Sequence, residues 1–454
     1  MTQVKEKSEY KYLQTVSFST WFNWDVKSYA TNNLKSKYDF VKLGLVLNEQ
    51  TEKVKLKDFP NQEFGILGVN NKTGVFDAYL EKGSKINQPY KIMKTNWIAY
   101  NPYRVNVGSV GIKTENQKYE YISNAYIVFS CLKEKLDTDF FFRLFKTNTF
   151  NNLVKKSTKG SVRQNLSFDL LSNIQIPLPS IPIQKSLVAK YDKELAEVKK
   201  LGNKVNDLNK KIEDYLLEEL GIIIEEKTKK KGLNFINFRD LDRWGVDFGL
   251  FTSTLKNLYQ NTKFPIENLG SHIEYLQYGL SEKADEISSG IPMLRMNNLQ
   301  NSELDFTDLK YIKKCSDNYL LCKDDLLFNR TNSKELVGKT AVFELEKKMA
   351  FASYLIRVRF NKENTNVHYV NFLMNSRIGR TQINMISRQV LGQANINSQE
   401  LKEFLFPFPS IDKQNKIVQK ILSFREEISD TKKKIEALKE EAKKDFETSL
   451  FDLL

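Results

Sequence analysis

Four short segments carry residue types that could do chemistry. Asn101-Pro102-Tyr103 sets an amide beside an aromatic ring. A DNA amino-methyltransferase uses such a pair to accept from the amine of a flipped base and to stack on it. That chemistry also needs a glycine-rich strand-to-helix loop for the methyl donor. None precedes the tripeptide in a doubly wound pattern, and the usual signature has a second proline. Gly338-Lys339-Thr340 ends like a phosphate-binding loop. The first glycine of that motif is Ser333 here, and the following run AVFEL reads as a strand where the motif demands a helix. Asp214 with Glu225 and Lys227 has the acid-x-Lys spacing of metal-dependent nucleases, but among 70 Lys and Arg such spacing arises by accident. Ser161 in KGSV has no histidine near it in sequence to act as a base. The chain therefore reads as non-catalytic.

The bulk properties point to a binding protein. A chain of 454 residues suggests two to four domains at roughly 100–200 residues each. A formal net charge of +14 favours a polyanionic partner, most commonly nucleic acid. The plainer alternative is a lysine-rich surface that keeps the chain soluble. Cys131, Cys315 and Cys322 form no Cys-x-x-Cys pair, and only His272 and His368 are there to join them. A structural zinc site and a disulfide framework are not expected, and so few thiols fit a reducing compartment. The opening MTQVKEKSEY lacks an apolar core, so no secretory signal is expected. No run of about 18 apolar residues is present to span a membrane.

The elements that position any site come in two copies. NLSFDLLSNIQIPLPSIPIQ (165–184) aligns without a gap on NINSQELKEFLFPFPSIDKQ (395–414). Asn165 matches Asn395, Pro177 matches Pro407, Pro179 matches Pro409, Ser180 matches Ser410, Ile181 matches Ile411 and Gln184 matches Gln414, each 230 positions apart. Downstream, Leu187, Tyr191, Val198, Leu201, Val205, Leu208, Ile212 and Tyr215 fall on a 4-3 spacing. The second copy carries Ile417, Ile421, Ile428, Thr431, Ile435, Leu438, Ala442 and Asp445 at the same offset. Both tracts predict long helices with one apolar seam and charged outer faces. The prolines bring the chain in extended, and Ser180 and Ser410 stand where helix caps belong. WDVKSY (24–29) and WGVDFG (244–249) match more weakly.

A single seam needs a partner. The economical arrangement pairs the two helices antiparallel as a rod of roughly 50 Å, with a pseudo-twofold axis across it. The alternative packs each helix on its own domain or on another copy of the chain. The expected division is 1–180 globular, 181–222 helix, 223–410 globular and 411–454 helix. Both globular regions read as mixed α/β: WIAYN, YISNAYIVFS, DDLLFNR, GKTAVFEL and ASYLIRVRF as strands, 137–154 and 366–383 as helices. Asn, Arg and Lys on the connecting loops suit base edges, although Asn also favours ordinary turns.

At this point the chain resembles the specificity subunit of type I restriction-modification systems. GIPMLRMNNLQNSELDFTDLKYI (290–312) is similar to the segment near the start of that family's target recognition domains. DLLFNRTNSKELVGKTAVF (325–343) resembles its D-x-L-x-x-R-x-G/S…G segment, and IPLPSIPIQKSLV and FPFPSIDKQNKIV its boundary between recognition domain and coiled coil. YNPYRVNVGSVGI resembles a loop of recognition domains in adenine-specific methyltransferases that carry their own specificity module.

The resemblance implies a mixed α/β fold with two target recognition domains separated by two long antiparallel coiled-coil helices. It implies a cytoplasmic bacterial or archaeal protein that binds double-stranded DNA with a bipartite target. Two methyltransferase (modification) subunits and restriction/translocase subunits are the implied partners. S-adenosylmethionine, ATP and magnesium belong to those partners, none to this chain. A subunit of a related type II system and a non-specific coiled-coil scaffold are the alternatives.

By position, the expected DNA contacts are Asn101, Tyr103, Arg104, Asn106, Ser109, Arg163 and Gln164 in the first domain. In the second they are Arg295, Asn297, Asn298, Arg330, Asn332, Ser333, Lys339, Gln393 and Asn395. Asn165 and Asn395, shared by both halves, also suit a framework role. The second domain lacks the Asn-Pro-Tyr and Val-Gly-Ser-Val-Gly of the first, so the two half-targets should differ.

Overall fold

The computed structural model describes residues 34–105, 108–157, 165–223, 259–286, 289–390 and 393–452. The weakly matching segments around Trp24 and Trp244, and also Ser161, Glu225 and Lys227, lie outside the described residues. Contacts group the chain into two compact units, Met1–Gly202 with Lys433–Leu454, and Asn203–Lys432. Each unit thus holds one globular region and a part of each long helix.

The first unit runs β1 (Phe40–Lys42), β2 (Leu47–Glu49), β3 (Lys53–Val54), β4 (Glu63–Asn70), β5 (Gly74–Lys82), β6 (Tyr90–Ile92), β7 (Ile98–Tyr100), β8 (Val110–Ile112), β9 (Tyr121–Ser123) and β10 (Ile127–Cys131). Then come α1 (Thr138–Phe145), α2 (Asn148–Ser157), α3 (Phe168–Asn173), β11 (Gln175–Pro177) and the start of α4 (Ile181–Leu220). One sheet has the order β2-β10-β7-β8, another β3-β6-β9-β4-β5, and β1 pairs with β11.

The second unit continues with β12 (Ile266–Asn268), β13 (Ile273–Tyr278), β14 (Ile291–Leu294), β15 (Leu299–Gln300), β16 (Glu303–Leu304), β17 (Lys310–Ile312), β18 (Asp325–Asn329), β19 (Thr331–Asn332), β20 (Thr340–Phe343), β21 (Ala350–Phe351) and β22 (Leu355–Phe360). It ends with α5 (Val367–Asn375), α6 (Arg377–Ile386), β23 (Arg388–Val390), β24 (Gln393–Asn395), α7 (Ser398–Lys402), β25 (Leu405–Pro407) and the first part of α8 (Ile411–Leu450). Its main sheet, β13-β22-β18-β20, repeats the order of β2-β10-β7-β8 element for element, and β12 pairs with β25 as β1 does with β11. The variable part differs: the small sheet β17-β14-β21 and the hairpin β15-β16 stand where the first unit has five strands, and the second unit also has the small sheet β19-β24-β23.

Two sequence expectations need correction. The predicted helices 137–154 and 366–383 are each broken into two. Thr147 Oγ1 donates to Leu144 O and accepts from Phe150 N, and Ser376 Oγ donates to Leu373 O and accepts from Ile378 N. Each hydroxyl thus ends one helix and caps the next, the local competition that Ser and Thr offer to a helix. YISNAYIVFS is likewise two strands, β9 and β10, in different sheets, turned where Tyr126 N donates to Ser123 O.

The seam of the long helices is closed. None of Leu187, Tyr191, Val198, Leu201, Val205, Leu208 and Ile212 is exposed, nor any of Ile417, Ile421, Ile428, Ile435 and Leu438. In the second unit Lys204 pairs with Glu427, Tyr215 with Phe424 and Glu219 with Lys413, so numbers rise on α4 as they fall on α8. The helices are antiparallel. Burying each Leu or Ile is worth about 1.5–3 kcal/mol, whereas an exposed ion pair gives about 1 kcal/mol at most. The seam holds the pair together; the charges select its register.

Each helix is pegged to its globular region by one buried amide. Gln184 Oε1 accepts from Asp137 N, and its Nε2 donates to Lys135 O and Pro179 O. Gln414 Oε1 accepts from Asn366 N, and its Nε2 donates to Asn364 O and Pro409 O. Both glutamines are fully buried. Asp137 and Asn366 are themselves the N-caps of α1 and α5. At Ser180 and Ser410 the bond shown is made by the carbonyl, which accepts from Gln184 N and Gln414 N. Replacing Gln414 by Leu orphans the Asn366 amide and two carbonyls, at about 1–3 kcal/mol for each buried unpaired group. The expected outcome is a lower denaturant midpoint, with the fastest new amide exchange at residues 364–369. Unchanged exchange there would mean that the peg is dispensable.

Candidate nucleic-acid interface

Each unit carries an equivalent loop at the corresponding end of its own four-stranded sheet. After β7, Asn101 N donates to Ser109 O at 3.0 Å; after β18, Asn329 N donates to Lys339 O at 2.9 Å. Each loop re-enters the sheet through a glycine in the left-handed region, Gly108 at φ +82° and Gly338 at φ +81°. At Gly338 a Cβ would also lie 2.4 Å from Ile383. Each loop is stapled from below by the repeated segment, where Leu166 N donates to Pro102 O and Ile396 N to Arg330 O. YN…VG and FN…VG therefore mark the same loop. The missing Asn-Pro-Tyr and Val-Gly-Ser-Val-Gly hide this equivalence in the sequence of the second domain.

Several expected contacts are framework instead. Ser109 is 5 % exposed and donates to Val69 O. Asn298 is 1 % exposed; its Nδ2 donates to Asp305 O and Asp308 O, and its Oδ1 accepts from Arg295 N. Both side chains are closed to DNA. Asn101 Oδ1 accepts from Tyr103 N in its own turn, so the acceptor that base methylation would require is already engaged. Asn332 Oδ1 likewise accepts from Ser333 N, and the Ser333 carbonyl from Leu336 N and Val337 N. Arg295 is paired with Asp308 at 2.9 Å. Asn106, Arg163, Gln164 and the side chain of Gln393 lie outside the described residues.

The side chains left facing outward are Tyr103 and Arg104 in the first unit and Asn297 and Asn395 in the second, with Arg330 and Lys339 half-exposed. Asn395 Oδ1 accepts from Thr331 Oγ1. Lys339 donates to Gln300 Oε1 at 3.1 Å, and burial and then Arg380 lower its pKa. The sequence reading missed Arg380. From α6 it donates to Val337 O at 2.5 Å and Lys334 O at 3.0 Å, and so holds the loop from behind. Its only sequence signal was its place on the helix after Ser376.

An ion cluster lies at the other end of β18 from the loop. Asp325, the first residue of β18, is fully buried and accepts from Arg359 Nε at 2.5 Å and Cys322 N at 2.8 Å. That hydrogen bond raises the Arg359 pKa. Arg357, 2 % exposed, lies 3.6 Å from the same carboxylate and donates to Leu320 O and Asn318 O. Removing one partner of such a cluster leaves a buried charge uncompensated.

Gly338-Lys339-Thr340 leads into strand β20, with Thr340 donating to Asn371 Oδ1, so no helix N-terminus faces it for a phosphate. Among the described residues no His, Cys, Asp or Glu cluster is arranged to hold a metal ion. None of the described helices is long and apolar enough to cross a membrane.

Each unit also has an open groove beside its long helix. The first is lined by Lys72, Ile112, Phe142, Lys146 and Leu195, the second by Glu303, Val342, Glu344, Phe372 and Arg425. Lys146 lies over the Phe142 ring at 4.0 Å, and Arg425 over Phe372 at 4.7 Å. The grooves share a build and differ in charge.

A family model, the type I restriction modification DNA specificity domain, matches residues 22–216 and 278–440. The chain belongs to this family. Its two matched stretches contain the first unit's four-stranded sheet, strands β22, β18 and β20 of the second unit's sheet, and most of the long helices. The specificity chain is 27% identical over 191 residues to a putative type I restriction enzyme MjaX specificity subunit of Methanocaldococcus jannaschii, covering 41% of this chain and 45% of that one. It is 25% identical over 286 residues to the type I restriction enzyme EcoKI specificity subunit of Escherichia coli K12, covering 61% and 56%. The specificity chain thus spans about half the length of these relatives. A solved chain from a study of complex assembly and conformational transition of the type I R-M system has the same fold. Its TM-score is 0.53, at 14% identity, over 92% of this chain and 98% of that chain.

Arg380→Ala is expected to speed amide exchange at residues 333–338 by about tenfold, leaving the seam of α4 and α8 protected. Uniform exchange across the second unit would instead make Arg380 a core residue.

Proposed function

We propose that this chain is the DNA-specificity component of a type I restriction-modification complex. The observation that carries the proposal is the duplicated scaffold of the family, with one differently furnished loop in each unit. In this reading each unit recognises one half of a split target. The outward groups are Tyr103 and Arg104 in the first unit and Arg330, Lys339, Asn297 and Asn395 in the second. The closed seam supports a spacer role for the helices, whose length sets the unread gap.

Catalysis lies in partner chains. They methylate adenine with S-adenosylmethionine and cleave or translocate DNA with ATP and magnesium. Two modification subunits are the proposed partners of the paired grooves and the helices beside them, because a duplicated surface suits two copies of one protein. Restriction/translocase subunits join that assembly.

The proposal is tested by sequencing modified bases in cells that express the chain with its cognate modification subunit. A bipartite motif with one methylated adenine in each half is expected. Failure to co-purify with any modification subunit would defeat the proposal. Removing one heptad from each helix, 201–207 with 431–437, should shorten the gap and leave both half-sites as they were. Changed half-sites would show that the helices do more than measure distance.

A further inference from the structure

Resting on that reading, we infer that Arg330 is the side chain with which the second unit reads a guanine, oriented by the ring of Tyr278. Arg330 is the first loop residue after β18, and its backbone is fixed on both sides. Its N donates to Tyr354 O at 3.0 Å, and its carbonyl accepts from Ile396 N at 2.9 Å. Its guanidinium lies over the Tyr278 ring, 5.0 Å from the centroid. That ring is itself anchored, because Tyr278 Oη accepts from Ser398 N at 2.9 Å.

Among the described residues, the other interior arginines of this unit are neutralised or committed. Arg295 pairs with Asp308, Arg357 and Arg359 with Asp325, and Arg425 with Glu303. Arg380 is held by loop carbonyls. Arg330 has no acidic or carbonyl partner for its side chain among the described residues, and its Nε is buried without a hydrogen bond. The ring contact leaves the charge intact and limits where the fork can lie. A guanidinium held in one plane is what paired donation to guanine O6 and N7 requires. A phosphate contact needs the charge and not the orientation.

The neighbour has the same polarity. The exposed Asn395 has its Oδ1 engaged by Thr331, so its Nδ2 is the group left to face a ligand. A face of donors matches the two acceptors of guanine in the major groove. At the equivalent position the first unit has no arginine: the residue that answers to Arg330 there, by its carbonyl bond from Leu166 N, is Pro102. A guanine read from this position therefore belongs to the half of the target read by the second unit.

The test uses the complex with the modification subunits and reads the methylated motif genome-wide. Arg330→Lys keeps the charge and loses the fork. One guanine position in one half is expected to become degenerate, with discrimination falling about tenfold or more and the other half and the gap unchanged. Tyr278→Leu should relax the same position, and Tyr278→Phe, which keeps the ring and loses only the Oη anchor, should relax it less. If Arg330→Lys retains the motif, or lowers methylation evenly at all sites, Arg330 is a phosphate contact and the inference is overturned. A wild-type motif without guanine overturns it as well. If Arg330→Lys fails to assemble, the Tyr278 pair decides alone, and an identical motif for Leu and Phe rejects the role. A wild-type complex with no bipartite motif would instead defeat the reading on which this inference rests.

Discussion

The hydrogen bonds of Gln184 and Gln414 fix where everything else can be. Each amide is fully buried and closes three bonds at the junction of a long helix, the proline-rich entry and the N-cap of a short helix. A buried amide with all partners made is stable; with one missing it is a liability. That asymmetry fixes the direction in which each long helix leaves its sheet. It also explains why the two glutamines and the prolines before them stand out in the comparison of the halves: their geometry tolerates no other side chain.

On this fixed scaffold the loops are free to differ. The strand order of the main sheet, the left-handed glycine at the loop exit and the staple from the segment before α3 or α7 are common to both units. The loop interiors share nothing. Pro102 stands where Arg330 stands, and a five-stranded sheet stands where the second unit has a three-stranded sheet and a hairpin. A protein built to read two different sequences with equivalent geometry needs this separation of constant hydrogen bonding from variable side chains. Arg380 belongs to the scaffold of the second unit, since it holds the loop by its carbonyls, and the Asp325 cluster ties β18 to β22 at the far end of the sheet.

Chemistry read from residue types alone failed where a polar group satisfies its own backbone. Ser109, Asn298 and Asn101 have the composition of a recognition surface. They are committed to Val69 O, to the turn before Asp308 and to the Asn-Pro-Tyr turn. Sequence could not tell these from Asn395 or Arg330, because every loop polar group chooses between its own turn and a ligand. The same competition broke both predicted short helices, at Thr147 and Ser376.

By itself the sequence determined the duplication, the two long helices with their seam and the mixed α/β character. These follow from periodicity, proline placement and identities at a constant offset, all of which survive in one dimension. Only the tertiary structure decided that YN…VG and FN…VG are one loop, that the repeated glutamines are the pegs, and that Arg330 rests on Tyr278 with its donors uncommitted. The physical reason is that each of these depends on partners distant in sequence. Whether a hydrogen-bonding group is already satisfied is a property of the fold and not of the residue.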